Sequence, residues 1–338
     1  MSYKVGLRRI FFEDTNRSNW DGTGKRPLLA DVWYPTENTS NETDIFIGPP
    51  DTPFTIACRA IPNADLLVAT EKFPLILLSH GTGGMSLHLG WMASLLASQG
   101  YIVAGVNHHG NNALEPYVSK GFLHYWERPR DVTVFLDHLL ADPNWGGQID
   151  INRIGAAGFS LGGFTVLSLA GGITNIQHFL DALINSGLDL NELVPPEFDD
   201  KAAFIDELRT LAIHEAAANR SYRDERIKAV FSMAPVLGEG FLPVGLHTIS
   251  IPVQIVVGSE DFLAPAATNA SFFANQIRNS ALTILPDVGH YTFLAVATEI
   301  GRQSLPLFCV DPKGIDRATI HQQVAEMAFA FFNKNLRS

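Results

Sequence analysis

Ile151-Asn152-Arg153-Ile154-Gly155-Ala156-Ala157-Gly158-Phe159-Ser160-Leu161-Gly162-Gly163 joins a strand pattern to a helical one and organises the rest of the chain. Ile154 to Phe159 is small and apolar throughout, as a strand buried on both faces requires. Phe164, Val166, Leu167 and Leu169 then continue as an apolar helix. At the junction stands Gly158-Phe159-Ser160-Leu161-Gly162, a G-x-S-x-G between a strand and a helix. A turn that tight forces its serine into a strained backbone, and side chains at the flanking positions would collide. The outcome is a hydroxyl raised clear of the sheet, beside N–H groups at a helix N-terminus. A solvated serine on a glycine-rich turn is the alternative, and five residues alone do not separate the two.

A serine hydroxyl is nearly inert at neutral pH. As a nucleophile it needs a base for its proton, an acid to orient that base, and donors to hold an oxyanion. Each belongs at the carboxyl end of a sheet strand, where an open α/β sheet places its ligands. Among eleven histidines, His290 stands out, in Asp287-Val288-Gly289-His290-Tyr291-Thr292-Phe293, after the last expected strand. The acid candidate is Asp261, in Val257-Gly258-Ser259-Glu260-Asp261-Phe262-Leu263, directly after the preceding strand. Glu260, Asp287 and, from one strand earlier, Glu239 compete with it. The order Ser160, Asp261, His290 is that of the α/β hydrolases.

Two backbone N–H groups are needed for the oxyanion. One is that of Leu161, the residue after the serine. The other comes from Ser79-His80-Gly81-Thr82-Gly83-Gly84, with Thr82 first and Gly83 second. That loop also reads as a phosphate cradle, but it lacks the Lys and Ser/Thr that close a P-loop. His80, His108 and His109 suggest a metal, yet no carboxylate or cysteine set accompanies them; hydrogen bonding behind the site is the better account. Gly83, Phe262 and Phe293, on the loops beside the serine and histidine, are candidates to line an acyl pocket.

Elsewhere in the chain, 3–13 and 27–35 read as antiparallel strands, 36–72 as a long irregular excursion, and 111–127 as loop. Continuous apolar runs at Leu75–Ser79, Tyr101–Val106, Ile227–Met233, Val253–Val257 and Leu282–Leu285 read as buried strands. Helical patterns alternate with them: one around Leu87, Trp91 and Leu95, one capped by Asp131, and a last one opened by Asp316. That alternation implies a parallel sheet with helices on both faces. Residues 172–226 break it with two further helical patterns, divided by Pro195-Pro196. They read as a cap over the site or as an extension of the core.

Composition narrows the function classes. The chain has 338 residues, 46% hydrophobic, and a formal net charge of −11. No basic cluster exists to neutralise phosphates, which argues against a nucleic-acid partner. No apolar run approaches the ~20 residues that span a membrane, and Met1–Arg9 reads without an apolar core of signal-peptide length. Two cysteines, Cys58 and Cys309, make no framework and read as a reduced pair. A cytoplasmic protein without cofactor or metal is expected; the oligomeric state stays open.

With these pieces placed, the chain resembles the α/β-hydrolase superfamily over nearly its whole length. Within it, the likeness is to bacterial predicted dienelactone hydrolases and to platelet-activating factor acetylhydrolase of the plasma type. It rests on Ala30-Asp31-Val32-Trp33-Tyr34-Pro35, on the Ser79–Gly84 loop, on Gly158–Gly163, on Gly289-His290-Tyr291-Thr292-Phe293-Leu294, and on Asp316-Arg317-Ala318 with His321. The resemblance implies a single domain over 1–338, with a mostly parallel eight-stranded sheet flanked by helices and a cap at 172–226. It implies a serine esterase with Ser160, Asp261 and His290 as triad, Thr82 and Leu161 as oxyanion hole, and a small or short-acyl ester as substrate. Dienelactone hydrolases proper use a cysteine where this chain has serine, so their substrate does not transfer. A peptidase or amidase, or a catalytically silent binding protein of the same fold, are the alternatives.

Overall fold

The computed structural model of the chain describes residues 2–185, 189–192, 194, 198 and 200–337. Strands β1 (Lys4–Ser18) and β2 (Lys25–Thr36) form an antiparallel pair, as their β-prone sequences predict. β3 (Thr43–Ile47) and β4 (Thr55–Pro62) follow, then β5 (Phe73–Ser79), β6 (Ile102–Asn107) and β7 (Ile149–Phe159). β8 (Ile227–Met233), β9 (Val253–Gly258), β10 (Ser280–Leu285) and the short β11 (Val296–Ala297) complete the set. The strands run in the order β10-β9-β8-β7-β5-β6-β2-β1-β4-β11, with β3 on β4. The eight strands from β10 to β1 are the sheet expected. β4, β3 and β11 enlarge it to eleven.

Pairing from β6 across β5 and β7 to β10 is parallel throughout, and β2 joins β6 antiparallel. Every residue of β5 and β6 is buried, which explains their unbroken apolar sequences. The chain goes from β5 to β6 on one side and returns to β7 on the other. Strand order therefore reverses at β5, and a crevice opens at the carboxyl ends of its neighbours. The loop after β5 and the end of β7 both border that crevice.

Helices α1 (Gly90–Ser98), α2 (Ser119–Leu123), α3 (Glu127–Ala141) and α4 (Leu161–Leu169) surround the sheet. α1 packs against the helix Arg317–Leu336, and α3 against α4. Side chains alternate along a strand. Gly155 of β7 faces Phe332 of the C-terminal helix, and Gly158, an odd number of residues on, faces α4. The two helix pairs thus cover opposite faces.

Three expectations are corrected. Residues 36–72 are not simply irregular: β4 pairs with β1, β3 and β11. Its partners lie on both sides of it in the chain, one of them more than 230 residues away, so no local hairpin signal announces it. Residues 111–127 hold α2 and the start of α3. Asp131 does not cap a helix; it is buried within α3, where Arg26 donates to both its oxygens at 2.7 and 3.0 Å. The need to neutralise a buried arginine, rather than a helix terminus, places the acid there. Asp316, by contrast, does cap the last helix, accepting from the Thr319 N–H at 3.0 Å.

Within 172–226, α5 (Ile176–Asn185) and α6 (Lys201–Thr210) supply the two helical patterns. Pro195 and Pro196 lie outside the described residues. No helix among the described residues is long and apolar enough to cross a membrane.

Candidate active site

Ser160 sits between β7 and α4 with φ +56° and ψ −119°. A non-glycine residue adopts positive φ only at a cost of roughly 1–3 kcal/mol, which the surroundings must hold. They do so with the Ser160 N–H donating to Met233 O at 2.9 Å on β8, and Ser160 O accepting from the Phe164 N–H at 3.1 Å. A Cβ on Gly158 would lie 2.1 Å from Gly162 O, and one on Gly162 would lie 1.9 Å from Ser79 O. Both glycines are therefore fixed by close backbone approach. The turn has the shape its sequence predicts.

His290 begins a short helical turn, His290–Phe293, after Gly289. Its Nε2 is 3.0 Å from Ser160 Oγ, and its Nδ1 is 2.7 Å from Asp261 Oδ2. All three side chains are buried. The other Asp261 oxygen accepts from the N–H groups of Leu263 at 3.1 Å and Ala264 at 2.7 Å. Those two bonds fix the carboxyl rotamer and leave Oδ2 for the ring. With a carboxylate on Nδ1, that nitrogen carries the proton and Nε2 is free to accept from the serine. Of the four acids weighed from sequence, the structure brings Asp261 to the ring.

The loop after β5 lies beside the serine. The Gly83 N–H is taken by Asn111 Oδ1 at 2.5 Å, and Tyr117 donates to Gly83 O at 2.8 Å. Among the described residues the Thr82 N–H has no protein acceptor, nor has that of Leu161, the first residue of α4. Both are thus available to a bound ligand.

Beneath the loop runs a polar layer in which His80 and His108, read from sequence as hydrogen bonding behind the site, are joined by Arg128 and by the carboxylate of Asp131, neither of which the sequence places beside them. The His80 Nδ1–H donates to Gly81 O at 2.6 Å, while its Nε2 accepts from the His108 N–H at 3.1 Å. The buried Arg128 donates to His80 O, and at 3.3 Å to Ser79 Oγ. The Ser79 hydroxyl in turn meets His108 Nε2 at 2.9 Å, and His108 Nδ1 faces Asp131 at 3.2 Å. Burial holds His80 well below the ordinary histidine range and pushes His108 down to about 3, with the Arg128 charge acting the same way. Both rings are neutral members of a hydrogen-bonded support. His109 stands apart, on Glu115 at 3.0 Å.

The histidine loop is held as firmly from behind. Three of its carbonyls are anchored: Thr292 O by His321 Nε2 at 2.8 Å, Phe293 O by Trp91 Nε1 at 3.0 Å, and Ala295 O by Arg317 at 3.1 Å. The Trp91 and His321 rings stack at 4.2 Å. Family resemblance alone points to Arg317 and His321; in sequence Trp91 reads as an ordinary helix-face residue.

Ser160, His290, Thr82 and Gly83 open into a cavity of about 900 Å³. Its walls are mostly apolar and include Phe54, Tyr117, Phe122, Leu294, Leu307 and Phe308. No Asp, Glu, Lys or Arg lines it among the described residues. Two expected lining residues are corrected. Phe262 does not line it and is 65% exposed, because the Asp261 turn directs it outward. Phe293 is fully buried 5.8 Å from the Phe159 ring, as core behind the histidine. No described residue of 172–226 lines the cavity either; Phe198 backs its wall, 4.9 Å from Phe122. Cys58 and Cys309 are both free and buried, Cys309 on the cavity wall.

The ferulic acid esterase from Streptomyces cinnamoneus has a similar structure, with a TM-score of 0.67 over 99% of this chain and 91% of that one, at 18% identity. The fold is that of the α/β hydrolases. Residues 54–138, which carry the Ser79–Gly84 loop and Arg128, match the family model for platelet-activating factor acetylhydrolase, isoform II. A third similarity is to dipeptidyl-peptidase 5 of Porphyromonas gingivalis, 33% identical over 115 residues, or 30% of this chain. The chain spans about 15% of the length of that curated relative.

Proposed function

We propose that the protein is a serine carboxylic-ester hydrolase working through an acyl-enzyme, with small or short-acyl esters as substrates. The observation that carries this is the unbroken line from Ser160 Oγ through His290 to Asp261, open to an apolar cavity. His290 takes the Ser160 proton as the ester carbonyl is attacked. The tetrahedral oxyanion is held by the N–H groups of Thr82 and Leu161, and losing one such donor typically costs ~2.7–4 kcal/mol of transition-state stabilisation. His290 then protonates the leaving alcohol and later activates the deacylating water. Asp261 stays ionised, fixing the tautomer and stabilising the imidazolium. In this reading the 172–226 insertion is a cap whose Phe198 buttresses the acyl wall from outside.

One observation favours a second reading, an exopeptidase: the sequence shared with dipeptidyl-peptidase 5. An enzyme that recognises a free peptide N-terminus must pair its ammonium group with carboxylates or other acceptors. The cavity wall supplies no Asp or Glu among the described residues, which supports the ester.

Ser160→Ala is expected to abolish turnover of p-nitrophenyl acetate and butyrate, with kcat reduced by up to ~10⁶, while circular dichroism and Tm stay near the parent's. A fluorophosphonate probe should label the parent protein and not the variant. Retained esterase activity in Ser160→Ala would overturn the assignment. An unlabelled parent would favour a silent binding protein, and faster turnover of dipeptide p-nitroanilides than of esters would favour the peptidase.

A further inference from the structure

Away from the cavity, His124, Glu207 and His214 each bring one ligand atom to within 4.8 Å of the others. We propose that this cluster is a binding site for a divalent transition-metal ion of the zinc type, which ties the helical insertion to the segment walling the cavity.

The three residues come from two pieces of chain. His124 follows α2, and is the second residue after Phe122 of the cavity wall. Glu207 lies on α6, and His214 ends the 3₁₀ turn Leu211–His214 that continues it. Seven residues apart on near-continuous helix, they face the same side. His124 Nε2 is 2.7 Å from Glu207 Oε1, and the rings of His124 and His214 are 4.5 Å apart. Zinc bonds to imidazole and carboxylate are ~2.0–2.2 Å, so tetrahedral ligand atoms stand roughly 3.3–3.6 Å apart. Side-chain shifts of about an ångström bring the observed set to that geometry.

The surroundings orient the ligands in advance. The His124 ring stacks on Trp126 at 4.7 Å and meets the edge of Trp20 at 5.6 Å, 89° to its plane. Trp126 also lies against His214, at 5.7 Å. A hydrogen bond between His124 and Glu207 needs no third ligand. His214 turned onto the same point is what that bond leaves unexplained. Two imidazoles with one carboxylate suit zinc and its first-row neighbours, whereas magnesium and calcium take oxygen ligands. Three protein ligands leave a fourth position for water. None of the three residues lines the cavity, so the ion would brace the wall at Phe122 and Phe198 without touching substrate.

The test uses the full chain after chelator treatment, titrated with Zn²⁺ by calorimetry and with Co²⁺ by visible absorption. The expected result is one equivalent bound, a tetrahedral cobalt spectrum, and a Tm that rises with metal. His214→Ala and Glu207→Gln should each weaken binding by more than about tenfold and remove the Tm rise. His247→Ala, at an exposed histidine elsewhere, should change neither. Glu207→Gln keeps a hydrogen-bonding partner for His124, so it decides the matter should His214→Ala fold poorly. No stoichiometric binding by the parent, or binding and Tm rise undiminished in both variants, would overturn the proposal.

Discussion

Asp261 shows how narrow the choice of a single residue is. It and Glu260 are adjacent acids after the same strand, and sequence ranks one above the other without deciding. The turn decides: the Leu263 and Ala264 N–H groups hold one carboxylate oxygen, and the other reaches His290 at 2.7 Å. Asparagine at 261 can offer its amide N–H to the ring and so favour the wrong imidazole tautomer. Asp261→Asn is therefore expected to lower kcat on p-nitrophenyl butyrate by about 10⁴, the size seen for that change in the Ser-His-Asp triad of serine proteases, with KM little altered. A loss below tenfold would show that another acid orients His290. In the proposed mechanism Thr82 ranks above Gly83 as oxyanion donor, because the Gly83 N–H is already given to Asn111 at 2.5 Å.

Among elements, the strand-turn-helix at β7 and α4 was legible because every constraint on it is local. Its glycines, its apolar strand and its apolar helix stand within some twenty residues. Gly162→Ala puts a methyl group into Ser79 O, at 1.9 Å from backbone that cannot yield without moving β5. We expect destabilisation of at least about 2 kcal/mol in urea unfolding, together with loss of esterase activity. A variant as stable and active as the parent would mean the elbow is looser than this packing allows. β4 was missed for the opposite reason: its partners are distant in sequence, and its alternation is irregular. Asp131 misled because an acid ahead of an apolar helical pattern looks like a cap, while its arginine partner, Arg26, lies 105 residues earlier.

His108 and His321 are buried and His88 is half-buried on the cavity wall, and these rings set a pH dependence. Burial pushes His88 and His321 down to about 4, and His108 to about 3, from an unfolded value of 6.5. Between those values the unfolded chain binds protons that the folded chain refuses. Stability is then fully present above pH 6.5 and falls as pH drops toward 4. Each such histidine contributes on the order of 2 kcal/mol of that loss between pH 6.5 and 5. Urea unfolding at pH 7, 6 and 5 should show the decline, and His88→Gln, whose amide can still accept from the Met85 N–H, should make it shallower. Equal stability at pH 7 and 5 would contradict the neutral state of these rings.

The α/β alternation, the elbow and the chain order of Ser160, Asp261 and His290 are legible in the amino-acid sequence, because strand burial, turn sterics and chain order are written in consecutive residues. What stands behind and around them depends on packing between distant parts of the chain. Arg128, His80 and His108 converge under one loop; Trp91, Arg317 and His321 converge on another. Phe262 turns to solvent while Phe54 and Phe308 wall the cavity. These residues are scattered along the chain, and a buried polar group or an apolar wall is satisfied by whatever folding brings against it. Contacts of that kind leave no spacing to read.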